Sequence, residues 1–446
     1  MVKGKTSLTF YGGVDEVGGN KILLQDKDVK ILFDFGMSYN LRRKFYSDPF
    51  LSPKSEESLK KLGILPNIDG LYKFEDSKKQ IDAVFISHSH MDHSAYISFL
   101  KDSIPIYCGE TTKTILEAIS QTKPTNLEFN INHLEFKVFR TGDEIKIGHV
   151  EVEPVHVDHS VPGAYGFIIH TTNGTIVYTG DFRTHGAKVK MTQDFVERAS
   201  ETDPLVLIHE ATNLTNAHLS SEREVERKLI EITRETSGLV IADFARADVD
   251  RFRSFYKAAK ANGRYLAISM KQAFLIEKLA KDKHLKIPSL RDENLKIFCK
   301  EKERYYGWEK KLKEKFTDKI VNSKTIGKRG NKFILTLSFY DFEELFNIKP
   351  PSGSCYILSA SEPFNEEMEI DFLKLKNWLE HFGMPQYHVH VSGHILPLDL
   401  KRTIAEISPK MAFPVHTEHQ KLVAKFIEDL KIQTVEVKRE HEYVLR

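Results

Sequence analysis

Cysteine is scarce in this chain of 446 residues: there are three, and none of Cys108, Cys299 and Cys355 stands near another. No CxxC spacing exists to build a thiolate zinc site, and scattered thiols make no disulfide framework, so a reducing, cytoplasmic setting is expected. Long apolar runs are missing too. None approaches the roughly 18 residues of a membrane-crossing helix, and the start, MVKGKTSLTF, lacks the apolar core of a secretion signal, so no membrane partner is expected. Net charge is almost absent, because 65 Lys and Arg face 63 Asp and Glu. No whole-molecule field draws a polyanion, and any nucleic-acid surface must be local. Repeats and low-complexity tracts are also lacking. What is present is 41% hydrophobic residues, a large core spread over a length that predicts two domains.

Short apolar runs separated by polar turns fill the N-terminal third, at 7–10, 21–24, 31–35 and 83–86, and Asp26-Lys27-Asp28 predicts a hairpin between two of them. Strand-like runs continue at 104–107, 151–155, 167–169 and 175–178. Near residue 200 the texture changes. Segments 221–233, 249–261, 271–280 and 371–381 carry the apolar period of helices, alternating with short strands as an α/β insertion would. Between Lys296 and Lys332, thirteen basic residues meet five acidic ones, interleaved with Phe298, Tyr305, Tyr306, Trp308 and Phe316. The segment reads in two ways: a face where Tyr305, Tyr306 or Trp308 stacks on unpaired bases, or a solvated helix with its aromatics turned inward.

Ser87-His88-Ser89-His90-Met91-Asp92-His93 follows the apolar run 81–86. Few structural needs place four such side chains where a buried strand ends. Neutral imidazoles with a carboxylate hold zinc while leaving a position open for water. In a loop, His88 and His90 can converge on one ion while Asp92 and His93 turn toward a second. Two further donors stand at turns beside strands: His159 in Val157-Asp158-His159-Ser160-Val161-Pro162-Gly163, and Asp181 in Tyr178-Thr179-Gly180-Asp181-Phe182. Asp181 is the candidate to bridge two metals. His156 competes with His159, and the turn-forming Pro-Gly after His159 favours the latter.

With Asp34 in Phe33-Asp34-Phe35-Gly36 preceding HxHxDH, His159 and Gly180-Asp181, the chain resembles the metallo-β-lactamase superfamily. That resemblance implies a four-layer αββα sandwich, with His88, His90 and His159 on one zinc ion, Asp92 and His93 on the other, Asp181 bridging, and Asp34 supporting the loop through hydrogen bonds. Downstream, Leu207-Ile208-His209-Glu210-Ala211-Thr212-Asn213, Val389-His390-Val391-Ser392-Gly393-His394 and Pro414-Val415-His416-Thr417-Glu418 resemble the three added motifs of the β-CASP nucleases. Gly12-Gly13-Val14-Asp15-Glu16-Val17-Gly18-Gly19-Asn20 and Ile241-Ala242-Asp243-Phe244-Ala245-Arg246 resemble the ribonuclease J branch, in its shorter archaeal-type form.

The resemblance implies an inserted α/β β-CASP domain at 204–364, between metallo-β-lactamase segments 1–203 and 365–446, closing over the metal site. It also implies that His416 is an extra ligand of the second zinc, and that Glu210 and His394 act beside the leaving group with Asp92 as the other catalytic residue. A carboxylate beside an imidazole raises its basicity and makes a usable general acid near neutral pH. A histidine at position 416 accompanies RNA-processing members, so RNA is the expected partner and 5′-to-3′ exonucleolytic hydrolysis the expected activity. A cleavage-factor type of endonuclease and a catalytically silent RNA-binding relative are the alternatives. Two zinc ions per chain are expected, with manganese or magnesium as substitutes, and a homodimer is expected by analogy. Ser392 and Gly393 sit in a turn whose hydroxyl and N–H groups can hold a phosphate. Ser392→Ala is therefore expected to weaken RNA binding or change end preference, read by titration of end-labelled RNA, and unchanged kinetics would remove that role.

Overall fold

The computed structural model describes residues 5–48, 50–123, 127–215, 217, 220–361 and 366–446. Alternation of apolar and polar residues starts the chain as antiparallel strands β1 (Thr6–Gly12), β2 (Lys21–Asp26) and β3 (Val29–Phe33), with the expected hairpin closing at Asp26 opposite Val29. Then β4 (Ala83–Ile86), β5 (Ile106–Gly109) and β6 (Phe136–Phe139) add in parallel. All four residues of β4 are buried, as befits a strand covered on both faces. A second sheet begins with β7 (Ile145–Ile147), β8 (Val150–His156), β9 (Tyr165–Thr171) and β10 (Gly174–Tyr178) as an antiparallel meander, and β11 (Val206–Glu210) joins β10 in parallel.

The chain next builds a third sheet from β12 (Val240–Asp243), β13 (Tyr265–Ser269), β14 (Leu295–Phe298), β15 (Ile320–Val321), β16 (Phe333–Thr336), β17 (Cys355–Leu358) and β18 (Gln386–His388). Its order is β15-β14-β13-β16-β12-β17-β18, and every pairing is parallel. Finally β19 (Met411–Val415) and β20 (Gln433–Thr434) return to the second sheet and β21 (Glu442–Leu445) to the first, beside β1.

Strand alternation sorts the side chains of the first two sheets into layers. Phe33 and Phe85 point into the core between the sheets, with Phe10, Phe167 and Phe413. Their neighbours Leu32 and Val84 face the opposite way, into a core with Leu59, Leu65, Tyr96 and Leu116. On the outer face of the second sheet, Ile168, Val177 and Leu207 pack on Phe195, Leu400 and Ile404 of two helices. The result is the four-layer αββα sandwich.

Two compact units account for the chain: Met1–Ala217 with Gly393–Arg446, and His218–Ser392. Strand β11 pairs with β10 and β19, which keeps it in the first unit beyond the expected changeover at 203/204. In the same way β18 pairs with β17 and stays in the second unit. The other expected changeover, 364/365, lies outside the described residues. Among the described residues no helix is long and apolar enough to cross a membrane.

A buried ionic cluster organises the second unit. Arg251, fully buried, donates through Nη1 to Ser359 Oγ at 2.7 Å and to the Val389 carbonyl at 3.1 Å, while Nη2 meets Glu222 Oε1 at 3.2 Å. Asp248 caps the helix Val249–Ala261, accepting from the Arg251 N–H at 2.9 Å. Burial pushes the Asp248 carboxyl up to about 7; Arg251 opposes this and Glu222 adds to it. One guanidinium faces two carboxylates, which favours the protonated form of Asp248. Because its folded pKa lies above the unfolded value of about 3.9, the associated stability is full below that pH and is lost as pH rises through 7. Thermal melts should show the parent losing more stability than Asp248→Asn between pH 5 and 8, by at most about 3 kcal/mol. Parallel pH profiles for the two proteins would contradict it.

Candidate metal centre

Six strands deliver their C-terminal ends to one edge of the sandwich. Asp34 follows β3, Ser87 to His93 follow β4, His159 follows β8, Asp181 follows β10, Glu210 ends β11, and His416 follows β19. Ligand sites of open α/β sheets lie at such carboxyl edges. Two of these residues hold left-handed backbone, Asp34 at φ 58° and His416 at φ 56°, a conformation that non-glycine residues keep only where the surroundings over-determine it.

Asp34 is over-determined by four donors. Its Oδ1 accepts from the Ser87 N–H at 2.7 Å, and its Oδ2 from Ser87 Oγ at 2.8 Å, from His93 Nδ1 at 2.7 Å and from the Tyr178 hydroxyl at 2.7 Å. Asn20, which ends the glycine-rich loop, donates to that same hydroxyl at 3.0 Å. The loop must come close: a Cβ on Gly18, at φ 84°, would lie 2.5 Å from Asp92 Oδ2, and one on Gly36 would lie 1.7 Å from the Asp92 carbonyl. His416 is pinned where its N–H donates to the Gly13 carbonyl at 2.8 Å.

The donors converge in sets. His88, His90, His159 and Asp181 bring one ligand atom each within 4.8 Å of the others, as do Asp92, His93 and His416, and Asp181, His394 and His416. His90 Nδ1 lies 3.1 Å from both His88 Nε2 and His159 Nε2, and Asp181 Oδ2 lies 3.6 and 3.9 Å from those two nitrogens. Ligands about 2.0–2.1 Å from a tetrahedral ion stand about 3.3 Å apart, so the first set has the spacing of such a shell. Asp181 Oδ2 also reaches the other side, 3.2 Å from His93 Nε2 and 3.6 Å from His416 Nε2, while Asp92 Oδ2 lies 3.2 Å from His416 Nε2. Asp181 is buried, and neither of its oxygens receives a hydrogen bond of good geometry.

Hydrogen bonds on the far nitrogens decide which way the lone pairs face. Ser87 Oγ donates to Asp34, so its 3.0 Å contact with His88 Nδ1 needs the imidazole as donor. His159 Nδ1 donates to the Gly393 carbonyl at 2.6 Å and His93 Nδ1 to Asp34. Thr212 Oγ1 donates to the His416 carbonyl at 3.1 Å and so accepts from His416 Nδ1 at 2.8 Å. In each neutral ring Nε2 then presents a lone pair inward, the arrangement by which partners behind a metal ligand fix its tautomer. Facing lone pairs about 3 Å apart repel one another, and a cation among them removes the repulsion. A nitrogen and carboxylate donor set without thiolate fits zinc and similar divalent ions.

Charge follows the same pattern. Burial lowers His90 to about 4 and holds His88 and His159 well below the usual imidazole range. Against the same burial, Asp181 and Asp34 raise His93 well above it. Asp181, although buried, is held well below the carboxylate range by His416, His93 and His394. A proton on His93 and a metal compete for one lone pair.

Glu210 and His394 form a second arrangement at the same edge. Glu210 Oε1 accepts from the N–H groups of Phe182 at 3.2 Å and Ile395 at 3.4 Å, Oε2 accepts from Thr212 N–H at 3.3 Å, and Oε2 lies 3.0 Å from His394 Nδ1. Burial disfavours charge on His394, but Glu210 and then Asp181 outweigh it and raise the imidazole to about 9. Asn213 Nδ2 donates to the His394 carbonyl at 2.8 Å.

All seven expected ligands are brought together. His156 is not among them, since its Nδ1 meets Thr141 Oγ1 at 2.8 Å and its ring packs on Tyr165. Gly393 faces His159: its carbonyl anchors that ring, and a Cβ there would lie 2.9 Å from His159 Cε1. Sequence reasoning missed Tyr178, Ser87, Asn20, Thr212 and Asn213. All five stand inside stretches already singled out, but nothing local gives a role to Tyr178, whose hydroxyl crosses from the second sheet to Asp34.

Two facing sheets carry this cluster at a shared edge, and residues 70–228 match the Beta-lactamase superfamily domain. Over most of its length the chain is similar to ribonucleases J. It is 28% identical over 373 residues to "Ribonuclease J" of Sinorhizobium meliloti, covering 81% of this chain and 61% of that protein. To "Ribonuclease J 2" of Streptococcus pyogenes it is 25% identical over 426 residues, covering 93% and 70%, and to "Ribonuclease J" of Thermus thermophilus 25% identical, covering 91% and 67%. The chain thus spans about three fifths of the length of the Sinorhizobium relative. A protein of unknown function from Enterococcus faecalis V583 shares the fold, with TM-score 0.78 over 99% of this chain and 100% of that one at 24% identity.

Asp34→Asn puts an amide N–H₂ against donors that need an acceptor. Divalent-metal affinity, read by competition with a chromogenic chelator, should fall roughly 10–100-fold. An unchanged affinity would show that the buried carboxylate does not orient the ligands.

Proposed function

We propose that the chain is a zinc-dependent ribonuclease that hydrolyses RNA phosphodiester bonds, degrading or processing RNA from the 5′ end in the cytoplasm. The observation that carries this reading is the Glu210–His394 pair, 3.0 Å apart, beside seven converged metal donors. A hydrolase of small esters has no need of that pair. The names of the relatives support RNA as the substrate. In this reading, His88, His90 and His159 would hold one zinc ion and Asp92, His93 and His416 a second, with the Asp181 carboxylate within reach of both sets, and the unit His218–Ser392 is the β-CASP domain. Manganese could substitute, since the donors are nitrogen and oxygen.

Zinc bound there would supply Lewis acidity to a phosphoryl oxygen and to a water molecule. The chain's own residues do the rest. Asp34, Thr212 and the Gly393 carbonyl orient the imidazoles. Three backbone N–H groups fix Glu210, which takes Nδ1 of His394 and leaves Nε2 to act. As the water oxygen bonds to phosphorus, releasing a proton to solvent, and the P–O3′ bond breaks, His394 gives its proton to the departing 3′ oxygen and is later reprotonated from solvent. The products are a 5′-phosphate and a 3′-hydroxyl. The 21% exposure of the His394 side chain, against 1% for Glu210, leaves the acid open to substrate and its orienting partner sealed.

RNA labelled at its 5′ end and carrying monophosphate, triphosphate or hydroxyl termini tests this. The zinc-loaded protein should release mononucleotides from the monophosphate form, and chelator should stop it. His394→Ala should slow cleavage by about 10²–10⁴-fold, and Asp92→Ala at least as much, both with unchanged circular dichroism. Internal fragments would replace the exonuclease reading with an endonuclease one. Full activity in either variant would sink the site assignment.

A further inference from the structure

The loops leaving β12, β16, β13 and β14 emerge from four neighbouring parallel strands of the second unit, hence at one edge of its sheet. At about 4.8 Å per strand they span about 14 Å. Arg246 lies three residues beyond β12. Lys271 is the second residue of the helix Met270–Leu279, which follows β13 directly. Lys300 follows β14 by two residues, and the single turn Phe339–Asp341 follows β16. Arg246 and Lys271 are exposed. Lys300 is paired with Asp341, whose carboxylate is also the acid felt by Arg246 and Lys271.

The other acids are committed or sealed. Glu309 is taken by Lys302 Nζ at 2.6 Å and by the Tyr306 N–H at 2.8 Å. Asp243, at the end of β12, accepts from the Tyr356 hydroxyl at 3.0 Å. Lys300 is therefore paired with Asp341, while Arg246 and Lys271 feel that carboxylate only at longer range. Partial desolvation of its ammonium by the surrounding loops lowers Lys271 from the usual lysine range although the residue reaches the surface, and repulsion from Arg246 and Lys300 adds to the effect. Folding does not require such self-repulsion; a bound polyanion would relieve it.

Aromatic rings flank the cations in two states. Phe298 and Phe316 are core residues, Trp308 packs on Phe274 with ring centroids 5.2 Å apart, and the Tyr305 hydroxyl donates to the Lys300 carbonyl at 3.0 Å. By contrast Tyr340, beside Asp341, is 85% exposed on the Phe339 ring, and Tyr306 is 60% exposed with Lys302 Nζ 5.4 Å from its centroid. Exposed rings interleaved with cations are the pattern that takes unpaired bases and phosphates together.

We propose that this edge is a platform for a single-stranded polynucleotide, with Arg246, Lys271 and Lys300 on phosphates and Tyr340 and Tyr306 stacked on bases. That the strand is RNA rests on the ribonuclease reading; the platform itself does not. A protein partner with an acidic surface would use the cations and leave the tyrosines without a role.

The test uses the full metal-loaded chain carrying His394→Ala, so that the strand survives, with a fluorescent 12-nucleotide single-stranded RNA read by anisotropy across salt concentrations. Adding Arg246→Ala and Lys271→Ala should weaken binding at least tenfold and lower the log–log salt slope by about 1.4, or 0.7 per lost contact. Adding Tyr340→Ala instead should weaken it at least about fivefold, and a blunt RNA duplex should bind less tightly than the strand. All of these side chains are on the surface, so melting temperatures should match the parent. Unchanged affinity and slope in the double variant, no effect of Tyr340→Ala, or equal binding of the duplex would overturn the platform. A protein that binds the strand here and whose parent cleaves no RNA would refute the ribonuclease reading alone.

Discussion

Each histidine of the metal cluster whose far nitrogen has a partner is aimed by that partner. His88 leans on Ser87, His93 on Asp34, His159 on the Gly393 carbonyl and His416 on Thr212. Those anchors come from both sheets and from both ends of the first unit. An imidazole free to swing would lose little energy by turning its lone pair toward a water molecule, and the cluster would open. The fold around the site is therefore a device for keeping unprotonated nitrogens facing one another across about 3–4 Å, a geometry with no stability of its own until a cation occupies it.

The same constraint explains the strain and the close approaches. Asp34 can receive donors from β4, β10 and His93 only if the chain turns sharply after β3, and its positive φ is the price of that turn. His416 turns in the same way after β19. The glycine-rich loop ending at Asn20 lies so close to Asp92 that a methyl group at position 18 would overlap its carboxylate. The loop then spends Asn20 on Tyr178, the residue that carries the Asp34 network across to the second sheet.

Much of this was legible before any coordinates, for a definite reason. Metal donors must be of a few residue types, and His88, His90, Asp92 and His93 fall within six consecutive positions after a buried strand, where nothing else explains them. His159, Asp181 and His416 were readable only as turn residues next to strands; the family likeness joined them to the cluster. Tyr178 was not legible because a tyrosine ending an apolar strand is ordinary core, and only the pairing of two sheets places its hydroxyl on Asp34. The helices at 222–235, 249–261 and 270–279 were visible from their periodicity. The ends of the insertion were not, because β11 and β18 are assigned to their sheets by long-range pairing that no local pattern carries.

Charge makes the same point about scale. A net +2 over 446 residues describes no surface, since parallel strands gather the loops that follow them to one edge whatever their separation in sequence. The excess of basic residues between 296 and 332 looked like a single feature, yet the fold divides it. Its apolar rings go inward to Phe274 and the core, and Lys315 is spent on Glu277. Lys300 instead comes to lie near Arg246 and Lys271, residues from outside that stretch, with Asp341 among them. Linear charge density overstated the segment and missed Arg246 and Lys271. The order of strands in a sheet, rather than the order of residues in the chain, determines which cations an incoming anion would meet together.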